Sequence, residues 1–508
     1  MHLFAKYLPA GSVRGGVVSA TLASVGLAAV NFAAVPLVLR LLGAEAYGLV
    51  GVSVIVQACM QSLDLGIGQA VSLQVARFRG RQITKNEMEL LAAGGERLFA
   101  GIALAAACSL VLFGISSGEE WVDAEKLTPS TIVKCLSLIA ISAGLRFLSG
   151  AYKALLTGFE KIVELSLLSF VFGIGRTAAV VAWLLWIRAS AVDYFTLMVF
   201  FILLELVFLR IRATRCVSLG SSRAAGLSEI WRLRKMAGSL ALLNLLWLAS
   251  SQVDRVVFSG VLSLTDFGHF SAVAVLASSL YLITLPAIQA IQPRMARLYA
   301  AGTLEEFARL FRRATQLLTV VASAITASLA YHAESALRFW MHDDAAASAW
   351  STTFQVYAVG HAVASVHALA FSAQYSAGRL RLQLWGSVVF TALWVPAALV
   401  AGMKGNTMET GGLWMLGNVA FLLVWTPQAI QHATGVHAYR WLLADILLPG
   451  GTASAAALLV AALFHSNSEI GLGAHLLLGV LVGLCAGLSV ASFTRGYATR
   501  WFTSFANP

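Results

Sequence analysis

Arg146, Arg176, Arg255, Asp64 and Asp254 stand inside long apolar stretches of the sequence. A charge at the centre of a bilayer costs about 2.5–3.5 kcal/mol on insertion scales, so such a group faces a wet cavity or a partner. The arginine fork donates two parallel hydrogen bonds, which matches phosphate and carboxylate. Arg146, Arg176 and Arg255 are therefore candidate ligands for a phosphate or an acidic sugar. Asp64 and Asp254 are candidates for a coupling ion. The competing reading is structural pairing between helices, or snorkelling to the surface. For Glu205 and Lys153, which lie near the ends of their apolar blocks, pairing is the reading adopted. Asn31, Gln57, Gln61, Gln69, Asn244 and Gln252 crowd the first, second and seventh blocks. Of these, Asn31, Gln57, Asn244 and Gln252 join the candidate binding set, since amides can bind sugar hydroxyls as well as tie helices together.

Other chemistry has no support in the sequence. No Gly-Lys pair occurs, so there is no phosphate-binding P-loop, and no His is followed by Glu, which removes the HExxH zinc motif. Gly114-Ile115-Ser116-Ser117-Gly118 has GxSxG spacing but sits at the end of an apolar block, not between a strand and a helix. His361 and His367 lie six apart, a poor spacing for one helix face and for a shared metal. Cys59, Cys108, Cys135, Cys216 and Cys485 show no CxxC spacing and read as small buried hydrophobes. The expectation is no catalytic residue, no metal and no cofactor beyond a coupling proton or sodium ion.

The elements that position these residues follow from composition. Of 508 residues, 59% are hydrophobic and 12% charged. That is about half the charge of a soluble protein. The apolar residues fall in blocks of about 18–25, each long enough to cross the hydrocarbon as a helix. Lipid satisfies no backbone hydrogen bonds, and the blocks lack the two-residue alternation of barrel strands, so the spans are helices. About fourteen are expected, near 15–39, 48–70, 98–116, 131–152, 163–187, 194–211, 236–260, 267–290, 314–333, 351–375, 383–403, 412–430, 442–464 and 472–493. The first follows Lys6 and Arg14 but is too long for a signal peptide, so it reads as a retained span. Lys and Arg concentrate roughly fourfold in alternate loops. The rich set is cytoplasmic by the positive-inside rule, which places both termini in the cytoplasm. The net charge of +11 is then topological, and no nucleic acid is expected as a partner.

A repeat at an offset of 220 residues sets Leu41–Ala58 over Val261–Ser278, with Tyr47-Gly48 on Phe267-Gly268 and Val75-Ala76-Arg77 on Met295-Ala296-Arg297. Each aromatic-Gly pair sits at the outer end of a helix, where the ring is expected to anchor at the interface. Six spans separate the copies, so the repeat is parallel, about an axis along the membrane normal. The expected organisation is an N-terminal lobe with linker at 1–225, a C-terminal lobe at 226–441, and a helix pair with a cytoplasmic tail at 442–508. The linker falls at 210–235. Leu304, Phe307, Ala308 and Phe311 share a helical face with Arg309, Arg312 and Arg313 off it, which predicts an amphipathic helix on the inner surface.

Several stretches resemble the polysaccharide flippases of the multidrug/oligosaccharidyl-lipid/polysaccharide (MOP) exporter superfamily, the Wzx-type O-antigen or exopolysaccharide translocases. They are VPLVLRLLGAEAYGLVGV, LDLGIGQAVSLQVAR, ALLTGFEKI and QVDRVVFSGVLSLTDFGHFSAVAVLASSLYLITLPAIQAIQPRMARL. The resemblance covers roughly residues 10–430. It implies a MATE-like, all-α polytopic fold of two pseudo-twofold-related six-helix lobes plus a C-terminal helix pair, in a bacterial cytoplasmic (inner) membrane. It also implies alternating access that moves an undecaprenyl-pyrophosphate-linked oligosaccharide outward. Arg146, Arg176 and Arg255 would then line the cavity, and Asp254 or Asp64 would answer to a proton or sodium ion. The implied partners are membrane lipid, the lipid-linked oligosaccharide, a polysaccharide polymerase and chain-length proteins. A peptidoglycan lipid II flippase shares this plan. A cation-coupled drug or metabolite antiporter would show unpaired acids in its cavity, and a scaffold would gain nothing from buried charges.

Reporter fusions test the charge alternation. Sites near Glu120, Asp343 and Ser466 are expected outside and sites near Arg81, Ser222 and Tyr497 in the cytoplasm. A cytoplasmic signal at Glu120 together with an outside signal at Arg81 overturns the topology.

Overall fold

The computed structural model describes residues 13–79, 81–217, 234–464 and 471–491. Ser222, most of the expected linker, Ser466 and the tail with Tyr497 lie outside the described residues. The architecture is helical, and among the described residues the strand-like pairing is one isolated bridge, Asp123 to Ser263.

Residues 1–271 form one compact unit and residues 272–508 another. The first holds α1 (Val13–Leu42), α2 (Ala44–Ser62), α3 (Ile67–Arg79), α4 (Lys85–Trp121), α5 (Pro129–Gly158), α6 (Ile162–Trp186), α7 (Ala191–Thr214) and α8 (Arg234–Val261). It also holds the start of α9 (Leu264–Ala277). The second unit continues with α10 (Tyr281–Ala300), α11 (Leu304–Tyr331), α12 (Ala333–Met341), α13 (Asp344–Ser376), α14 (Arg381–Gly402) and α15 (Thr407–Ala420). It ends with α16 (Thr426–Thr434), α17 (Ala438–Trp441), α18 (Leu448–Phe464) and α19 (Leu472–Val490).

Twelve stretches among the described residues are long and apolar enough to cross a membrane, or thirteen with the bent pair α2–α3. The chain is a multi-pass membrane protein. The expected span 236–260 is the single helix α8, which falls outside those counts and carries Asn244, Gln252, Asp254 and Arg255.

Three expectations change. The span drawn at 48–70 is broken, with α2 and α3 meeting at 49°. Leu65 and Gly66 both take left-handed backbone, at φ 47° and 77°. A leucine there costs roughly 1–2 kcal/mol. The Asp64 carboxylate offsets this by accepting the Gly68 N–H at 2.7 Å, which caps the new helix. The amphipathic segment at Leu304 does not lie apart on the inner surface. It runs without a break into the ninth expected span as α11, and Phe307 and Phe311 are buried in the protein core beside Trp441. The GxSxG string is continuous helix in α4, its Gly114 and Gly118 facing Leu136 of α5.

The aromatic-Gly landmarks are also not interfacial. Tyr47 is 4% and Phe267 1% exposed. The glycines explain the burial. A Cβ at Gly48 would strike the Leu264 carbonyl, and one at Gly268 would strike the Ala44 carbonyl. The offset of 220 carries Gly48 onto Gly268 and Ala44 onto Leu264, so the contact between α2 and α9 is self-complementary, as about a twofold axis. The same offset pairs Gly51 with Ser271, whose side chain occupies the space over Gly51. Small residues let helix backbones approach in lipid, where packing replaces the hydrophobic effect.

Around this crossing, Glu45 is buried and accepts backbone N–H groups of Lys126 (2.9 and 3.0 Å) and Leu127 (3.0 Å). The same loop accepts the Leu264 N–H on the Asp123 carbonyl at 2.7 Å. One carboxylate thus fixes the α4–α5 loop, and that loop fixes the start of α9.

In the second unit, α18 and α19 pack on each other and on α11 through small residues at four-residue spacing: Ala453 and Ala457 on α18, and Gly479, Gly483 and Gly487 on α19. Arg312 turns inward from α11 and grips the fully buried Asp445 with Nε at 2.6 Å and Nη2 at 2.9 Å, and Gln316 donates to the same carboxylate.

Two substitutions test these contacts. Gly268→Val is expected to lower the melting temperature of the purified protein by forcing α2 from α9. Asp445→Ala removes the anchor of a buried pair, a loss of up to about 3–5 kcal/mol, less here because Arg312 is partly exposed. Unchanged thermal unfolding in either variant contradicts the corresponding contact.

Candidate functional site

The first unit gathers most of the singled-out charges. Arg146 projects from the middle of α5, from a helix whose neighbouring face buries Ser142, Phe147 and Ser149. Its Nε is buried and has no hydrogen-bond partner. Arg176, 9% exposed, projects from α6 one turn beyond Gly173. That glycine lets Leu27 of α1 press against the α6 backbone, so α1 backs the helix that carries the arginine. The two guanidinium groups are close enough to repel one another, and Glu205 of α7 attracts both.

Glu205 is already engaged. Lys153 of α5 binds it at 3.1 Å and the Ser169 hydroxyl donates to it at 3.4 Å. Lys153 and Glu205 are therefore the structural pair expected of them, and three cations share one carboxylate. Among the described residues neither Arg146 nor Arg176 has a hydrogen bond or an ion pair of its own. Tyr194, on α7, lies within electrostatic range of both arginines, and Tyr47 of α2 lies within range of Tyr194 and of Arg255 of α8. The result is a cationic and phenolic lane across α5, α6, α7, α2 and α8. Tyr194 and Tyr47 were not singled out as ligands. Tyr47 was visible only as half of an aromatic-Gly pair, and Tyr194 carried no signal in an otherwise apolar helix.

The other candidates divide. Asn31 lies beside the lane, accepting the hydroxyl of Thr177, the residue after Arg176, at 2.8 Å. Gln252 is buried; its amide nitrogen reaches Ser251 at 3.4 Å and its Oε1 has no partner. Gln57 and Asn244 are half-buried on α2 and α8. Asp254 is buried, and its carboxylate accepts the Arg255 N–H at 2.8 Å. Asp64 is taken up by the cap of α3.

This fold occurs in proteins of known structure. The lipid II flippase MurJ in an inward closed conformation aligns with a TM-score of 0.68 at 13% identity, over 93% of this chain and 99% of that one. An inward-facing multidrug resistance MATE family transporter of the MOP superfamily aligns with a TM-score of 0.64 at 12% identity, over 81% and 96%. A MOP superfamily transporter from Pyrococcus furiosus, described as having a binding pocket of reverse polarity, aligns with a TM-score of 0.57 at 14% identity, over 83% and 97%. No curated protein matches the sequence. The family described as polysaccharide biosynthesis protein matches residues 13–299, a stretch that contains every residue of the cationic lane. By that match the chain belongs to the polysaccharide biosynthesis protein family.

Proposed function

We propose that the protein carries a lipid-linked oligosaccharide across the bacterial cytoplasmic membrane by alternating access, for O-antigen, capsule or exopolysaccharide biosynthesis. The carrier link is taken to be undecaprenyl pyrophosphate. The observation that carries this reading is the pair of half-buried Arg146, with a buried and partnerless Nε–H, and buried Arg176, in a group where three cations share one engaged carboxylate. A pyrophosphate would supply the missing charge and accept bidentate hydrogen bonds. Tyr194, Tyr47, Asn31 and Gln252 would offer neutral hydrogen bonds to phosphate oxygens or sugar hydroxyls. The family match to polysaccharide biosynthesis supports a glycan as cargo.

A lipid II substrate is the second reading, favoured by the shared fold with a protein named a lipid II flippase. A drug-cation antiporter is disfavoured by the charges themselves. The acids here are engaged, Glu205 with Lys153 and Asp64 with a helix cap, while the arginines are not. A polymerase and chain-length proteins are the partners such a flippase would feed.

The test is export in a deletion strain complemented with variants at matched protein level. Arg146→Ala and Arg176→Ala are expected to lower surface polysaccharide at least tenfold and to accumulate lipid-linked repeat units inside, with thermal stability retained. Lysine at either position should restore export only in part, because it keeps charge but loses the fork. Arg255→Ala, at the edge of the lane, should have a smaller effect. Export at the wild-type level in Arg146→Ala and Arg176→Ala removes the pair from the site.

A further inference from the structure

The charge alternation puts the loop between α4 and α5, residues 121–128, on the outer side of the membrane. Asp123, Glu125, Lys126 and Thr128 of this loop are exposed. Its attachments are few and specific. Val122, 2% exposed, is its apolar anchor. The Trp121 indole packs on Gly260 of α8, where an added Cβ would lie 3.0 Å from the ring nitrogen. The Asp123 carbonyl accepts the Leu264 N–H of α9 at 2.7 Å. The N–H groups of Lys126 and Leu127 go to the Glu45 carboxylate of α2 at 2.9–3.0 Å. One short segment thus ties α2, α8 and α9 together at one end.

The ties fall on the turns that the glycine crossing brings together. Gly48 lies against the Leu264 carbonyl, the loop holds the Leu264 N–H, and Glu45 stands three residues before Gly48. At this end α2 cannot part from α9 while both are bonded to the same loop.

The bonds are of a kind that water can replace. Leu264 is the first residue of α9, so its N–H has no partner inside the helix. Ser263 caps the helix by accepting the Asp266 N–H at 3.1 Å, which leaves the Leu264 donor to the loop. Glu45 is buried, and among the described residues its partners are the two loop N–H groups. Water admitted at this end can donate to the carboxylate and accept from Leu264 in their place. An acidic residue in the first turn of a helix also answers the helix dipole, but that role needs neither burial nor a partner in a distant loop.

The clasp is also one-sided. The offset of 220 pairs Gly48 with Gly268, yet it carries Glu45 onto Thr265. Packing of the crossing uses the same pattern on both helices, so a carboxylate present on one of them serves something other than that packing.

We propose that residues 121–128 are a strap that holds the outer ends of α2 and α9 closed, with Glu45 as its clasp, and that the clasp opens once in each transport cycle. Closure by the strap stands on the contacts alone. Its opening in the cycle rests on the flippase reading.

The experiment separates the two. Val122→Cys reports the seating of the loop, because position 122 is buried in the closed arrangement. In the purified full chain, a charged thiol reagent is expected to label Val122→Cys at least tenfold faster when Glu45→Gln is also present. The amide accepts with one oxygen and turns an N–H donor towards the other loop N–H. Cys135, buried on α5, should stay unlabelled, which distinguishes release of the strap from loosening of the unit. Asp123→Cys with Ser263→Cys joins the bridged residues of the strap and the α9 cap by a disulfide. In proteoliposomes carrying lipid-linked oligosaccharide, reduction of this double variant should raise translocation at least tenfold. Equal labelling with and without Glu45→Gln, or Cys135 reacting together with position 122, overturns the clasp. Equal translocation before and after reduction overturns its opening in the cycle. Faster labelling in Glu45→Gln, with no translocation by the wild type, leaves the strap standing and overturns the flippase reading.

Discussion

Lipid offers no hydrogen bonds and no solvation to a charge, and this one constraint shapes nearly every polar contact in the protein. Hydroxyls inside the helices donate back to carbonyls a turn earlier, as Ser149 does to Leu145, Thr284 to Leu280 and Thr434 to Ile430. Buried carboxylates are well bonded: Asp445 by Arg312 and Gln316, and Glu45 by three bonds from the backbone of one loop, while half-buried Asp64 accepts from a helix end. Arg146 and Arg176 differ from these carboxylates, since among the described residues neither has a hydrogen bond or ion pair of its own, and a charge placed so in an apolar span is a candidate functional group.

The same constraint removes the usual reason for helices to associate, since lipid tails are as apolar as leucine. Close backbone approach replaces it. The Gly48 and Gly268 crossing and the glycine and alanine seam beneath α18 and α19 use this one device in two units. The crossing adds a rule of its own. Its partners are copies of one another in the repeat, so a single sequence pattern, aromatic then glycine, is used on both sides of the same contact.

Much of this was legible in the sequence, and the gaps have physical causes. Apolar length located the spans because a helix that crosses hydrocarbon must be both long and apolar. It could not see the break at Leu63–Gly66, since Leu, Leu and Gly around Asp64 keep the block apolar while two left-handed residues turn it. Polar landmarks reveal the repeat, yet they suggest interfacial rings for Tyr47 and Phe267, because ring burial depends on glycines of another helix. The arginines announced themselves as charges in apolar blocks. Their relation to Tyr194, and the capture of Glu205 by Lys153, are contacts between helices that no local pattern encodes. Local pattern puts Arg312 on the polar side of a surface helix, because its partner Asp445 lies 133 residues away.

The unbalanced charge also explains how a ligand can drive a change of shape. A ligand shifts a conformational equilibrium only by binding one state better than another. Arg146 and Arg176 sit on different helices and repel each other in a medium that screens them poorly. Without an anion, that repulsion favours any arrangement in which α5 and α6 carry the two groups further apart, or in which water reaches them. An anion placed between them reverses the sign: each guanidinium is attracted to the ligand, and the arrangement that keeps both near it becomes the stable one. On the proposed reading an anionic headgroup would be more than cargo, because it would supply the charge that Arg146 and Arg176 lack.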